Sequence, residues 1–425
     1  MLKINEKNFP DRKFREYISN RFDQEKKGYL TNQEIENVQE IDVSFKGYIT
    51  SIKGIEFFPN LTYLDCHNTL ITSLDISKNP KLEYLNCLRT PLTTLNVSVA
   101  TALNKLSCSW TRITTIDVSK NTELKFLDCS RTGITELDVS KNMALQFLAC
   151  RNTGITSLDV GKNTALIGLH CNNTLITSLD ISNNAELKTL WCSNTEITSL
   201  DVSKHTKLES LECFGTGITS LDVSKNPDLK RLDCSNTLIT SLDVSKNIEL
   251  IWLECDNTGI TSLDLNKNTT LYLLNCGDTK ITELDISNNL KLTYLDCHNT
   301  LITSLDVSRN TYLKTLDCYG TGITELDISG NIRLYHLDCS NTKIMSLDVN
   351  SNLMLDSFNC SNTGITSLDV SKNIVLENSL KESGKKDIIL IKNNDFIQDK
   401  IIQAKENLTN KQKDTKEVKS KEKER

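Results

Sequence analysis

The sequence contains no run of 18 apolar residues, no basic stripe, no C-x-x-C pair and no glycine-rich phosphate-binding loop. The first absence argues against a membrane-spanning helix. The missing C-x-x-C pair argues against a zinc centre. Because no basic stripe occurs in this chain of 425 residues with a net charge of −6, nucleic acid is not an expected partner.

Catalytic patterns are missing as well. The chain has no H-E-x-x-H motif and no pair of carboxylates at a catalytic spacing. His67, His170, His298 and His336 lie far apart in the sequence, and none has a cysteine or serine nucleophile that the pattern would expose beside it. We therefore predict a binding protein rather than an enzyme, with no catalytic residue, no cofactor and no metal.

The dominant pattern is a repeat of 21 residues. All 15 cysteines follow one another at this interval, from Cys66 to Cys360. With Leu61 as position 1, each unit reads L-x-x-L-x-C-x-x-T-x-I-T-x-L-D-V-S-x-N-x-x, as far as about Val375. A constant short period predicts a solenoid of stacked repeats. Positions 1, 4 and 6 predict a β-strand, and positions 11, 14 and 16 supply the return path.

Several columns of identical residues have predictable roles. Neighbouring cysteines would lie about 4.8 Å apart, whereas a disulfide needs Cβ atoms about 3.8 Å apart, so we predict buried free thiols. Thr at position 9 and Asn at position 19, which Ala100 and His205 replace, predict hydrogen-bonding ladders. Asp at position 15 is expected to accept local backbone N–H groups and to pair with Lys at position 18. A calcium ladder is the alternative, but its glycine-rich nonapeptide is absent.

The stretch L-x-x-L-x-C-x-x-T-x-I resembles the leucine-rich repeat signature, with Cys in a leucine position and Thr in the usual Asn position. The repeat length, the L-D-V-S-x-N second half and the cysteine column look like the internalins of Gram-positive bacteria, most like the internalin J type. The resemblance covers about three quarters of the chain. It implies an α/β fold, namely a leucine-rich repeat solenoid with a parallel β-sheet on its concave face and a small helical cap at the N-terminus.

The same resemblance implies a surface adhesin or host-contact factor, secreted or held at the cell surface. Such a protein would be a monomer that binds a protein or glycan on its concave face. The start of the chain, MLKINEKNFPDRKF, lacks the apolar segment of a secretory signal. Free thiols also suit a reducing compartment. A cytoplasmic protein-interaction scaffold is therefore the alternative.

The pattern divides the chain into five segments. For residues 1–37 the pattern predicts a helical cap with a degenerate EF-hand-like loop, Asp23–Glu34. Lys27 places a cation at a calcium-ligand position of this loop, so we expect a metal-free cap, with weak calcium binding as the alternative. Residues 38–60 predict a degenerate leading repeat and residues 61–375 the fifteen repeats. Residues 376–405 predict a cap strand and a short helix, and residues 406–425 a disordered charged tail.

Positions 2, 3, 5, 7 and 8 are expected to face the open side of the sheet. Exposed rings on one face are typical of recognition surfaces, although rings also stack simply to stabilise a sheet. Position 5 is rich in acids, and with few bases on that face we expect a cationic protein patch or an amine-bearing sugar as the ligand. The predicted ligand-binding residues are Tyr84, Trp110, Phe126, Phe147, Trp191, Phe214, Trp252, Tyr294, Glu212, Asp233 and Glu254.

Overall fold

The computed structural model describes residues 1–377 and 389–391. The chain forms two compact units: unit 1 runs from Met1 to Ile260, and unit 2 begins at Thr261. Most of the predicted C-terminal segment 376–405, including its short helix, and the whole predicted tail 406–425 lie outside the described residues. No helix in the described ranges is both long enough and apolar enough to cross a membrane.

Unit 1 begins with a small helical subdomain. Strand β1 (Leu2–Lys3) pairs antiparallel with β2 (Tyr29–Leu30), and the helices are α1 (Arg12–Phe22) and α2 (Asn32–Asn37). Asp11 caps α1, because its Oδ1 accepts the N–H groups of Lys13 and Phe14. Its Oδ2 accepts the N–H of Thr50, which ties the helix to the first turn of the solenoid. Phe9, Phe14 and Phe58 are fully buried.

The EF-hand-like loop is held together by its own side chains. The Lys27 ammonium lies 3.3 Å from a carboxylate oxygen of Glu25 and 3.0 Å from one of Glu34. Asp23 accepts the N–H groups of Lys27 and Gly28, at 2.8 and 2.7 Å. The N–H of Thr31 and the Lys27 ammonium, both bonded to the Glu34 carboxylate, lower its pKa to about 2. An internal cation therefore lies between two carboxylates that a calcium ion in this loop would use.

Each repeat contributes one short strand at positions 3 to 5, and each strand pairs in parallel with its neighbours in the same unit. Residue i pairs with residue i+21, as Leu190 does with Leu211. A 3-10 turn, Ile55–Phe57, completes the leading repeat. The strands of unit 1 are β3 (Glu40–Asp42), β4 (Tyr63–Asp65), β5 (Tyr84–Asn86), β6 (Lys105–Ser107), β7 (Phe126–Asp128), β8 (Phe147–Ala149), β9 (Gly168–His170), β10 (Thr189–Trp191), β11 (Ser210–Glu212), β12 (Arg231–Asp233) and β13 (Trp252–Glu254).

Unit 2 continues the pattern and adds a second, smaller pairing. Strand β19 (Ser367–Asp369) pairs in parallel with β20 (Ile389–Ile391). The strand near the C-terminus therefore lies on the second half of the last repeat rather than on the sheet formed by positions 3 to 5. The other strands of unit 2 are β14 (Leu273–Asn275), β15 (Tyr294–Asp296), β16 (Thr315–Asp317), β17 (His336–Asp338) and β18 (Ser357–Asn359).

The cysteine column lies inside the repeats. All fifteen cysteines are buried, and none forms a disulfide. Several donate to the backbone of the following repeat, as Cys66 does to the carbonyl oxygen of Asn86 at 3.4 Å. Burial raises the pKa of these thiols, that of Cys171 to about 12, so they act as small apolar groups. The sequence-based interpretation of the cysteines as core residues is confirmed.

The two polar columns have different roles. Each Asn at position 19 links repeats: Asn142 Nδ2 donates to the carbonyl oxygens of Val118 and Asn121, at 3.0 and 2.8 Å. Each Thr at position 9 instead donates to the carbonyl of the cysteine in its own repeat, as Thr69 does to Cys66 at 2.6 Å. The threonine column therefore satisfies the backbone, as predicted, and does so through a hydrogen bond within each repeat.

The Asp column at position 15 builds turns, as expected. Asp75 Oδ1 accepts the N–H of Ser77 at 2.9 Å, and the other repeats follow the same pattern. This hydrogen bond lowers the pKa of the Asp75 carboxyl. Across residues 1–377, however, no ion pair joins this column to the lysines at position 18, since each carboxylate already has a backbone partner.

Candidate functional site

The turn after each strand has a left-handed residue at position 8. The φ angle there lies between 50° and 58° in thirteen repeats, and glycines with φ of 65° and 69° occupy the other two. Nine of these residues are Asn, one is Asp and two are Gly, the types that tolerate this conformation best. Position 8 is therefore a backbone-determined turn rather than a freely variable open-face position, and its Asn/Gly preference was the signal in the sequence. The exceptions are Arg89, Trp110 and Arg131.

Positions 2, 3, 5 and 7 form the surface that we call the open face. In unit 1 its first part is a stack of rings and a cation at position 3. Tyr63 and Tyr84 are parallel with centroids 4.2 Å apart. The Lys105 ammonium lies 5.2 Å from the Tyr84 ring and 5.0 Å from the Phe126 ring. Phe126 then stacks on Phe147 at 4.9 Å.

At Gly168 the stack moves from position 3 to position 5. A Cβ atom at Gly168 would lie 2.7 Å from the Phe147 ring, so only glycine leaves room for that ring. Phe147 meets His170 edge-on at 4.8 Å, and His170 lies flat on Trp191 at 3.9 Å. Burial, together with the charge of Arg151, lowers the pKa of His170 to about 4. His170 is therefore neutral at physiological pH. We call the column from Tyr63 to Trp191 the ring stack.

The predicted acids lie together beyond the ring stack, but with a base among them. Arg231 Nε lies 2.9 Å from Glu212 Oε1, and its guanidinium lies 4.4 Å from the centre of the Trp252 ring. Burial raises the pKa of Glu212 and Glu254. Asp233 is buried. The expectation of few bases on this face is wrong, because Arg231, like Lys105 and Arg151 on the same face, lies among the predicted residues.

The predicted site residues differ in their exposure. Trp110 is exposed, at 47%, and Asp233 is buried. The other nine are half-buried, because side chains that repeat at the strand spacing lie flat on one another. Most of the predicted rings are therefore less exposed than the expectation of exposed rings on one face implied.

The structure groups some of these residues and separates others. It brings Tyr84, Phe126, Phe147 and Trp191 together in the ring stack, and Trp252 together with the three acids. Trp110 lies apart, in the left-handed column. Phe214 lies at position 7, outside the ring stack, and Tyr294 belongs to unit 2.

The open face of unit 2 is built from carboxylates and histidines. His298 Nδ1 lies 2.5 Å from Asp296 Oδ1, and its Nε2 lies 2.9 Å from Asp278 Oδ2. Tyr319 stacks on this imidazole at 4.6 Å. Burial opposes protonation of His298, but the bonds to the two carboxylates outweigh it and raise its pKa. Sequence reasoning missed these pairs, although an Asp at position 5 and a His at position 7 point to the same face.

Metal ligation has no support in this arrangement. Within the parts of the chain that the structure describes, no three His, Cys, Asp or Glu side chains are placed so that they could hold a metal ion. His336, for example, contacts one carboxylate and one hydroxyl: its Nε2 lies 3.0 Å from Asp317 Oδ1 and its Nδ1 lies 2.8 Å from Ser357 Oγ.

Solved structures of other proteins share this architecture. The functional domain of InlJ from Listeria monocytogenes, which includes a cysteine ladder, is 34% identical to this chain, with a TM-score of 0.75. The match covers 89% of this chain and 80% of that one. The chain belongs to the internalin family. Its resemblance to the cysteine-ladder internalins, inferred from the repeat, is thereby confirmed.

Two more distant structures share the fold of this internalin-family chain. InlF from Listeria monocytogenes 4b F2365 is 21% identical, with a TM-score of 0.60 over 84% of this chain and 97% of that one. The ectodomain of the Arabidopsis thaliana receptor kinase GASSHO1/SCHENGEN3, in complex with Casparian strip integrity factor 2, is 16% identical. Its TM-score is 0.60 over 80% of this chain and 54% of that one. No family model and no curated protein matches the chain.

Proposed function

We propose that this chain is a non-enzymatic binding protein that holds a protein or glycan ligand on the open face of unit 1, as an internalin-like adhesin or host-contact factor. The ring stack is the observation that carries this proposal. It presents five aromatic rings, a histidine and a lysine in one continuous column, each held by its neighbour.

Such a column suits recognition because its side chains are ordered before a ligand arrives. Half-buried rings lose little further conformational entropy on binding, which is the main cost of an interface built from flexible side chains. Aromatic residues and arginine are also the types that contribute most at protein interfaces. Stabilisation of the sheet alone would not need the cations that lie over these rings.

Similarity supports the general role. The cysteine-ladder domain of InlJ is described as functional, and the plant receptor ectodomain is in complex with a protein factor. Both are consistent with ligand binding by this fold. Because the chain is similar to internalins, we extend the proposed ligand-binding role to surface adhesion.

An intracellular scaffold is the second candidate. It is favoured by the fifteen buried cysteines, none of them in a disulfide, because reduced thiols survive best in a reducing compartment. Localising the natural protein in its own cells by fractionation separates the two roles, since an adhesin must reach the surface fraction.

The decisive experiment uses the full chain in a pull-down against host surface proteins and on a glycan array. We expect the variant Trp191→Ala, Phe214→Ala, Trp252→Ala to lose ligand retention. Its thermal stability should fall modestly, because Trp191 stacks on His170. The matched control is Tyr272→Ala, Tyr319→Ala, Tyr335→Ala on the open face of unit 2. Equal retention by both variants would contradict the proposed site.

A further inference from the structure

Three consecutive repeats break the rule for the left-handed turn. Arg89, Trp110 and Arg131 have φ angles of 54°, 57° and 55°, where most repeats have Asn. The left-handed conformation costs roughly 1–2 kcal/mol for a side chain that cannot bond locally to the backbone. These repeats also lack the hydrogen bond between the side-chain amides of successive asparagines. Asn194 Nδ2 donates such a bond to Asn173 Oδ1 at 2.9 Å. The backbone therefore gives no reason for Arg, Trp and Arg at these positions.

Their side chains form one charged assembly. The Trp110 ring lies between two guanidinium groups, with its centre 5.1 Å from Arg89 Cζ and 4.2 Å from Arg131 Cζ. Arg89 and Arg131 are exposed, and their strands are two steps apart, about 10 Å. With both faces of the indole covered, the ring supports the guanidinium groups and leaves their donor atoms free for a ligand.

A notch of about 400 Å³ opens beside this assembly. We call it the arginine notch, formed by Arg89, Trp110, Arg131 and Arg151 together with Asp128. Three guanidinium groups face one carboxylate, and that carboxylate already accepts the N–H of Ser130 at 3.0 Å. The notch is therefore locally positive in a chain whose net charge is −6.

The rest of the lining is polar except for Leu88. The side chains of Asn152, Asn172 and Asn173 border the notch, with serines between them. Amides both donate and accept hydrogen bonds, as hydroxyl groups do, whereas the guanidinium groups only donate. A ligand that carries both hydroxyls and oxyanions matches this lining, and one with apolar side chains does not.

We propose that the arginine notch binds the oxyanions of an acidic polysaccharide. The anion, either a sulfate ester or a sugar carboxylate, bridges the forked donors of Arg89 and Arg131, and sugar hydroxyls bond to the asparagine amides. This inference deepens the proposed binding function and rests on it. It also reverses the sequence-based expectation of a cationic ligand for this part of the open side.

The chain offers an unusually clean test, because the natural repeat supplies the replacement. Arg89→Asn, Trp110→Asn, Arg131→Asn gives three repeats the residue that nine others already have. We expect its Tm to equal or exceed that of the wild type, so loss of folding cannot explain loss of binding. The matched control is Arg112→Asn, Arg309→Asn, which also removes two positive charges, but from exposed positions outside the notch.

Affinity is measured by calorimetry on the full chain with four probes: heparin, polygalacturonate, poly-glutamate and single-stranded DNA. We expect wild type and control to bind at least one polysaccharide, and the Asn variant to bind it about tenfold or more weakly for each guanidinium lost. Binding should also weaken as salt is raised. Heparin alone would identify a sulfate ester as the anion, and polygalacturonate would identify a carboxylate.

Three outcomes overturn the inference: no polysaccharide binding by the wild type, equal affinity in the wild type and the Asn variant, or binding confined to poly-glutamate or DNA. Failure of polysaccharide binding at the arginine notch is distinguishable from failure of ligand binding on the open face. The Trp191, Phe214 and Trp252 variant tests the open face separately, and its loss of retention would stand even if the Asn variant binds normally.

Discussion

Unit 1 and unit 2 share one repeat but carry different chemistry on the open face. In unit 1, rings and cations stack along position 3 and pass to position 5 at Gly168. In unit 2, Asp296, Asp317 and Asp338 follow one another at position 5, and the first two have histidine partners. Because core columns and backbone ladders already determine the fold, the open face can vary without altering it.

The two units also differ in how their histidines protonate. His170 lies on Trp191 with its pKa lowered, whereas His298 and His336 lie against carboxylates with their pKa raised. The same residue type is thus a neutral ring in one unit and a potential cation in the other. Neighbouring side chains, rather than the repeat, decide which.

The largest expected effect comes from Gly168→Leu, which breaks the ring stack where it changes column. The new side chain would meet the Phe147 ring and Thr189 Oγ1, each within about 3 Å of its Cβ. We expect a loss of about 2–3 kcal/mol in the free energy of unfolding, measured by urea denaturation and tryptophan fluorescence. Gly161→Ser, in a turn where most repeats carry Ser, is the control. A Gly168→Leu chain as stable as this control would show that the stack is dispensable.

The second prediction concerns pH. Because His170 has a pKa of about 4 when folded and about 6.5 when unfolded, the unfolded chain takes up the proton first as pH falls. The neutral imidazole therefore stabilises the fold above pH 6.5, and this stabilisation is lost between pH 6.5 and 4. We expect the free energy of unfolding to fall by about 1–2 kcal/mol over that range. His170→Phe keeps a ring on Trp191 but cannot titrate, so its stability should decline less over this range in thermal melts.

In unit 2, the titration of a histidine changes the stability of the fold with pH in the opposite direction. The pKa of His298 is raised above its ordinary value of 6.5, so its contribution is fully present below pH 6.5 and is lost as pH rises through the folded pKa. His298→Gln should therefore destabilise the chain at pH 5.5 more than at pH 8.5. Parallel pH profiles for His170→Phe and His298→Gln would remove the distinction between the units.

The smallest expected effect concerns the asparagine ladder. In unit 2 it is unbroken, and Asn310 donates to Ile286 and Asn289. In unit 1, Ala100 supplies no donor at this position. Ala100→Asn should add two buried hydrogen bonds to backbone carbonyls, but it also buries one more amide oxygen, so we expect a gain of about 1 kcal/mol.

Chemical denaturation measures that gain. Asn121→Ala, which creates the same gap one repeat later, serves as the opposite control and should lose stability. A destabilised Ala100→Asn chain would indicate that this turn has no room for an amide.

Most of the fold could be predicted because it depends on a period. The interval from Cys66 to Cys360 predicted the parallel strands, the buried thiols and the Asn ladder, since stacked repeats place equal positions in columns. The boundaries of the predicted segments stay predictions. The period also predicted that the threonine column satisfies the backbone, but not that each threonine bonds within its own repeat, because a period shows only that residues align.

The candidate site was less predictable, because it depends on contacts between unlike side chains in adjacent repeats. Nothing in the period shows that Arg231 turns to Glu212 and Trp252, or that Gly168 admits the Phe147 ring. The left-handed turn was different, since Asn and Gly at position 8 already indicated it. Trp110 became informative only once that conformation was known.

The cysteine column gives this chain an internal set of reporters. Every repeat from Cys66 to Cys360 holds one thiol that solvent cannot reach, so an alkylating reagent can modify it only when that repeat opens. Timed labelling followed by mass spectrometry would then rank the fifteen repeats by how often they open, without any engineered probe. Repeats that label first mark where the solenoid begins to unravel.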